Sequence, residues 1–198
     1  MSLALAELAE DVGTSERTLR RAVSGGLIRA PRDGSSGSVL TDSEAEWVRR
    51  HWALIGQLKA ILRTEPNVEL AVLFGSVARG EELAGTSDLD LLVGLRKPLP
   101  GALDALRQRL GRRLDVEMQL VPLEGALRNP RLLGEVLRDG RPVVDRADAW
   151  VTLRTQARSA AARARRDVLQ SRARALAALD YFRELAAARA AAPLSTGS

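Results

Sequence analysis

Two aspartates stand one residue apart in Asp88-Leu89-Asp90-Leu91-Leu92-Val93, and the apolar residues around them read as a strand. Side chains alternate along a strand, so both carboxylates project from one face and repel unless a cation lies between them. Hard oxygen donors with open coordination positions suit Mg²⁺ or Mn²⁺ bridging nucleotide phosphates. Two such ions can hold the attacking and leaving oxygens of an in-line phosphoryl displacement. The plainer reading, a solvated acidic strand end, loses ground because of what lies just upstream. Residues 68 to 74 form a short apolar run that opens directly into Gly75-Ser76-Val77-Ala78-Arg79-Gly80. Such a turn binds phosphate well: Gly75 admits a close backbone approach, Ser76 offers a hydroxyl and an amide, and Arg79 brings charge against a triphosphate.

The rest of the donor inventory narrows the chemistry. Cysteine is absent and His51 is the one histidine, so any metal must sit on oxygen ligands. A third carboxylate is expected from a neighbouring strand, and Leu114-Asp115-Val116-Glu117-Met118-Gln119-Leu120 alternates apolar and polar. Asp115 opens the polar face and is preferred; Glu117 shares that face and stays open as the alternative. His51 lies beside an apolar helix face, which makes it a structural residue rather than a base.

The elements that must position these groups are legible on either side. Leu5, Leu8, Ala9 and Val12 have helical spacing, ending at Gly13. A second helix follows, capped by Thr14 or Ser15, buried through Leu19 and Val23, and closed by Gly25-Gly26. Its other face shows Arg17, Arg20, Arg21 and Ser24, an arrangement suited to phosphates and base edges in a major groove. Residues 27 to 31, a Gly/Ser loop at 33 to 38 and Val39-Leu40 complete a small β-wing in this reading. The alternative is a helical cap with solvated arginines: residues 1 to 50 hold seven Arg against eight acids, which does not imply tight nonspecific DNA binding. Thr41 and Glu44 form a capping box, and Ala45, Val48, Trp52, Ile55 and Leu62 mark one face of a long joining helix that ends before Pro66.

Beyond Val143 neither Pro nor Gly occurs until Pro193, and Ala and Arg dominate, which predicts one long helix or two close ones through most of residues 148 to 191. Val168, Leu169, Leu176, Leu179, Phe182 and Leu185 suit a partner helix, whereas Arg163, Arg165, Arg166, Arg172 and Arg174 suit nucleic acid; intramolecular packing with a solvated basic face is the alternative. Residues 148 to 198 carry nine Arg against four acids, an excess equal to the +5 of the whole chain. The sequence pI near 10.7 points to a polyanionic partner, although an Arg- and Ala-rich composition also follows from a GC-rich genome. With 198 residues and 45% hydrophobic content the chain can bury a real core. No apolar run approaches a membrane span, and the expected compartment is the cytoplasm.

Taken together, Gly75-Ser76-Val77-Ala78-Arg79-Gly80, then Ser87-Asp88-Leu89-Asp90-Leu91, then Asp115, resemble the minimal nucleotidyltransferases of the DNA polymerase beta superfamily. The resemblance spans about residues 66 to 146 and includes a closing strand in Asp139-Gly140-Arg141-Pro142-Val143-Val144-Asp145-Arg146. Leu-Ala-Glu-Leu-Ala, Thr-Ser-Glu-Arg-Thr-Leu-Arg-Arg and Gly-Gly-Leu-Ile-Arg-Ala resemble in turn a MerR-type winged helix-turn-helix. The implied fold is α/β (α+β): a winged helix-turn-helix with its connecting helix over 1–63, a nucleotidyltransferase core over 64–147, a helical extension over 148–192 and a disordered tail over 193–198.

The polymerase-beta resemblance implies that Gly75 and Ser76, with Arg79 and Ser87 beside them, bind the nucleotide. Asp88 and Asp90 would coordinate Mg²⁺ (or Mn²⁺), and Asp115 would complete the site and help activate the acceptor hydroxyl. The implied reaction transfers a nucleoside monophosphate, AMP from ATP, to a hydroxyl with release of pyrophosphate. The departure from the family pattern is Val116-Glu117, where an apolar pair is usual after the third Asp. The same resemblance implies an antitoxin acting on a HEPN-type ribonuclease partner, with Arg17, Arg20 and Arg21 binding operator DNA. Transfer onto tRNA, favoured by the basic C-terminal helix, or onto a small molecule remains open, as does a transcription regulator that senses NTP without transferring it.

Overall fold

The computed structural model describes residues 2–29, 39–81 and 88–159, together with Arg166 and Gln170. The chain divides into two compact units, Met1–Trp150 and Val151–Ser198.

The first unit begins with β1 (Ser2–Ala4), α1 (Leu5–Asp11) and α2 (Glu16–Ser24). Leu5, Leu8, Ala9 and Leu19 are buried, as their spacing predicts, whereas Val12 and Val23 are half-buried and Ala22 takes the buried position beside Leu19. Ser15 caps α2, its hydroxyl accepting the Thr18 amide at 3.2 Å. The expected wing has a different partner. Leu27 and Ile28 are buried in irregular backbone rather than in a strand, and β2 (Val39–Thr41) pairs antiparallel with β1 at the chain start. Apolar side chains at 27 and 28 satisfy a strand pattern and a buried loop equally well, and residues 30 to 32 of the expected wing lie outside the described residues. The 33–38 loop lies outside the described residues.

Helix α3 (Asp42–Arg63) is the long joining helix. Thr41 accepts the Glu44 amide at 3.2 Å, but the Glu44 side chain does not return to close a capping box; it is buried and turned toward arginines. His51 is 3% exposed, its Nδ1 donates to the Trp47 carbonyl at 2.9 Å, and its ring stacks on Trp47.

A four-stranded sheet follows in the order β5-β4-β3-β6. Its strands are β3 (Val68–Leu73), β4 (Leu89–Leu95), β5 (Met118–Pro122) and β6 (Arg141–Asp145). Strands β4 and β6 flank β3 antiparallel, and β5 runs parallel to β4 through the crossover helix α5 (Ala102–Leu114). A short helix α4 (Gly75–Arg79) follows β3, and α6 (Leu123–Leu127) and α7 (Pro130–Asp139) lie between β5 and β6. The core joins the inner side chains of α1 to α3 to those of β3, β4 and α5 in one cluster. The tail read as a closing strand is β6, held at its end by Arg146, which donates to the Leu62, Glu65 and Val68 carbonyls.

In the second unit residues 151–159 are helical, the Thr155 hydroxyl donating to the Val151 carbonyl at 2.9 Å, and Arg166 and Gln170 are also helical and exposed. The remainder of the expected 148–191 helix, including Val168, Leu176, Arg163, Arg165, Arg172 and Arg174, lies outside the described residues. No helix among the described residues is long and apolar enough to cross a membrane.

Candidate active site

The site is built where β3 ends and β4 begins. Val68 and residues 70 to 73 are buried, so β3 is fixed in the core and delivers Phe74 to a set position, where its amide donates to the Asp90 carbonyl at 3.1 Å. Gly75 then takes φ +75°, and a Cβ placed there would fall against the Asp90 carboxylate, 3.0 Å from Cγ and 3.3 Å from Cβ. Glycine is therefore required twice, by the left-handed backbone and by the carboxylate lying against it. The predicted phosphate loop and the predicted metal strand thus meet at one point.

Asp88 is exposed just before β4, and Asp90 is half-buried within it. Burial raises the Asp90 pKa, the neighbouring Asp88 charge raises it further, and Arg79 opposes both. A half-buried carboxylate beside another carboxylate is relieved by a divalent cation, and oxygen donors of this kind fit Mg²⁺ or Mn²⁺. Among the described residues no group of three or more His, Cys, Asp or Glu side chains gathers as a metal site. The fit therefore rests on two carboxylates.

Asp115 is placed elsewhere than the alternation suggests. Helix α5 runs through Leu114, and Asp115 caps it, exposed, at φ 53°. Leu106, Leu110 and Leu114 form its buried stripe, so Leu114 belongs to a helical period rather than to the strand, which begins at Met118. Asp and Asn tolerate the left-handed cap better than most residues. The later start changes which polar residues stand beside Asp88 and Asp90. Register pairs Asp90 with Gln119 and Leu89 with Met118, and the Leu89 amide donates to the Glu117 carbonyl at 2.9 Å. Asp88 and Glu117 line one cleft with Arg107, Gln108 and Gly111; Asp88 and Gln119 line a second with Asp104 and Arg107. Asp115 lines neither.

Arg79 is exposed and sits close enough to act on Asp90, but it is engaged by Glu81 at 2.9 Å and Asp139 at 3.5 Å. Ser76 is half-buried at the head of α4. Ser87 lies outside the described residues. Arg17, Arg20 and Arg21 are exposed on α2, away from its buried Leu19 and Ala22, with Arg20 bonded to Glu16 at 2.6 Å.

The back of α4 is held by residues that sequence reasoning passed over. Arg141 on β6 is 2% exposed and donates to the Ala78 carbonyl at 2.7 Å and the Leu27 carbonyl at 3.0 Å. It forms a two-pronged ion pair with Glu44, whose second oxygen is 3.0 Å away, and its guanidinium lies 3.7 Å from the Trp47 ring centroid. The Trp47 indole donates to the Val77 carbonyl at 2.8 Å, and the Arg29 amide donates to Glu44 at 2.7 Å. These bonds tie α4 to the residues between α2 and β2. Buried Arg-Glu pairs separated this far in sequence leave no periodic signal; the one available cue was an arginine at the head of the closing strand, directly before the apolar Pro142-Val143-Val144.

Residues 56–149 match the family model described as Polymerase beta, Nucleotidyltransferase. They form a nucleotidyltransferase domain of polymerase-beta type, which places this protein among enzymes of that activity. No curated protein matches the chain. Among solved structures it is similar to a mutant of the toxin–antitoxin MntA-HpeT, at 23% identity and TM-score 0.48, covering 57% of this chain and 90% of that one. It is also similar to a toxin–antitoxin with AMP-PNP, at 24% identity, TM-score 0.48 and the same coverage. A third is the tri-AMPylated Shewanella oneidensis HEPN toxin in complex with MNT antitoxin, at 22% identity and TM-score 0.45, covering 59% of this chain and 91% of that one.

Proposed function

We propose that this protein transfers a nucleoside monophosphate, AMP from ATP, to a hydroxyl of a protein partner and releases pyrophosphate. The observation that carries the reading is the Gly75 backbone lying against the Asp90 carboxylate, with Asp88 beside it. Asp88 and Asp90 would hold Mg²⁺ or Mn²⁺, which supplies charge neutralisation at the phosphates when bound. The chain's own residues position the reactants: Gly75 and Ser76 receive the phosphates, and Arg79 adds positive charge once its pairing with Glu81 is exchanged for the nucleotide. In the transfer, the acceptor oxygen forms a bond to the α-phosphorus, the bond from that phosphorus to pyrophosphate breaks, and the hydroxyl proton passes to a carboxylate. Glu117 takes that part in preference to Asp115, because Glu117 and Asp88 face the same cleft. Positioning and electrostatics carry most of such a reaction.

The antitoxin role, with a HEPN-type ribonuclease as acceptor, follows from the motif resemblance, and Arg17, Arg20 and Arg21 make operator binding its regulatory complement. In this proposal the protein acts in the cytoplasm, residues 1–63 form the DNA-binding part, 64–147 the catalytic part and 148–192 a helical extension. The deciding experiment incubates ATP labelled at the α-phosphate with Mg²⁺ and host lysate, comparing wild type with Asp88→Ala/Asp90→Ala and resolving protein and RNA separately. Label on protein that depends on both aspartates supports the proposal; label on RNA moves the acceptor to tRNA; no label from any of the four NTPs, with folded protein, removes it.

One observation favours a second reading, an NTP-sensing regulator. Arg141 bonds both α4 and the residues after α2, so the proposed nucleotide loop and the proposed DNA-binding part share a buried contact. NTP-dependent binding of operator DNA without transfer would select it.

A further inference from the structure

The N-terminal part holds a cleft unrelated to the aspartates. Along α3, Trp52, Ile55, Lys59 and Arg63 fall on one stripe, and the stripe faces Thr14 and Thr18 at the turn between α1 and α2. The enclosed space is about 450 Å³ and predominantly apolar. That lies within the roughly 300–1,000 Å³ of small-molecule sites.

Two features bear on what the cleft can hold. Lys59 is half-buried there, and among the described residues neither it nor Arg63 has a carboxylate partner. Burial without a counter-ion holds the Lys59 pKa below the ordinary lysine value. By contrast the fully buried cation Arg141 is paired with Glu44, whereas half-buried Lys59 has no carboxylate partner among the described residues. The second feature is Gly56, in the same stripe of a 22-residue helix, where a Cβ would meet nothing within 4 Å. Glycine weakens a helix interior by roughly 0.8–1.0 kcal/mol relative to Ala, and here no close contact requires it, so a larger side chain placed at this position has room to enter the cleft it lines.

We propose that this cleft binds a small organic anion, a carboxylate on an apolar body, with the Lys59 ammonium against the carboxylate and Trp52 and Ile55 against the hydrocarbon. Thr14 and Thr18 line the same cleft, so an occupant would join the α1–α2 turn to α3. This inference stands whether or not the nucleotidyl-transfer reading holds, since it uses none of that site's residues.

The test is titration of the full chain with decanoate below its micellar range, read by tryptophan fluorescence, with decanol and decyltrimethylammonium as uncharged and cationic controls. Decanoate is expected to bind and to change the emission, and Trp52→Phe to abolish the change. Lys59→Met should weaken decanoate binding by about tenfold or more, the scale of a lost charge-assisted contact, while leaving decanol unaffected. Lys59→Arg should restore affinity to within roughly threefold, and Gly56→Leu should weaken decanoate and decanol alike by filling the space. Circular dichroism and the unfolding midpoint of each variant separate these effects from misfolding. Equal affinity for decanol and decanoate, wild-type affinity in a folded Lys59→Met, or displacement of decanoate by duplex DNA through Lys59 would each overturn the proposal.

Discussion

The two polar centres of the first unit are built on opposite principles. Around Arg141 every buried charge is answered: the guanidinium meets Glu44, two carbonyls and the face of Trp47, and Glu44 is met in turn by the Arg29 amide. Around Gly75 the charges are answered only in part: two carboxylates of one sign stand together, the second half-buried against a glycine, and among the described residues only the charge of Arg79, itself engaged by Glu81 and Asp139, opposes them. The difference separates architecture from function. A closed network fixes how parts of a fold meet, whereas a protein retains an open repulsion where something from solution completes it.

The comparison breaks most sharply at the closed centre. Arg141→Ala or Glu44→Ala leaves an unpaired buried charge and should cost about 3–5 kcal/mol, measurable as a loss of denaturant midpoint. Replacing both residues with apolar ones of similar volume should cost less than either single change.

Next comes Gly75→Ala. The left-handed backbone alone costs about 1–2 kcal/mol in an L-residue, and displacement of the Asp90 carboxylate should reduce transfer by roughly a hundredfold or more, the scale of a 1 Å misplacement. Single-turnover kinetics on protein of verified fold would measure it.

At the open centre the prediction concerns pH. Because the folded-state pKa of Asp90 is raised, its contribution to stability is present below the unfolded carboxylate pKa and is lost as pH rises through the raised value. A divalent cation removes that loss. Mn²⁺ should therefore raise the unfolding midpoint at neutral pH, by about 2.7 kcal/mol of stabilisation at a hundredfold excess over its Kd, and the gain should fade as the solution is acidified through the carboxylate range. Thermal unfolding across pH, with and without Mn²⁺, checks it. The smallest effect belongs to Ser15→Ala, which removes the α2 cap and should cost about 1 kcal/mol, with no effect on transfer.

Much of this was legible in the sequence, and the residues show why the rest was not. Leu5, Leu8, Ala9, Leu19 and the α3 stripe obey a single period, so their helices and buried faces could be read directly. Gly75 and Asp88-Leu89-Asp90 could be read because strand alternation and turn chemistry are local. Asp115 misled because Leu114 satisfies two periods at once, the α5 stripe and the strand, and only packing decides between them. The pairing of Val39–Thr41 with the chain start was not legible for a related reason, since no local pattern reports a contact so far apart in sequence. Glu44 and Arg141 lie 97 residues apart, and no local pattern could link them.

The most direct test of the central claim, that the open carboxylate pair is a cation and nucleotide site, is calorimetric titration of Mn²⁺ into the full chain with a non-hydrolysable ATP analogue. It would be run in two buffers of different ionisation heat and repeated on Asp88→Asn and Asp90→Asn. Saturable binding that both substitutions weaken at least about tenfold, with proton release that grows toward the carboxylate range and disappears in Asp90→Asn, is the predicted result. Equal Mn²⁺ affinity in wild type and both variants would contradict it.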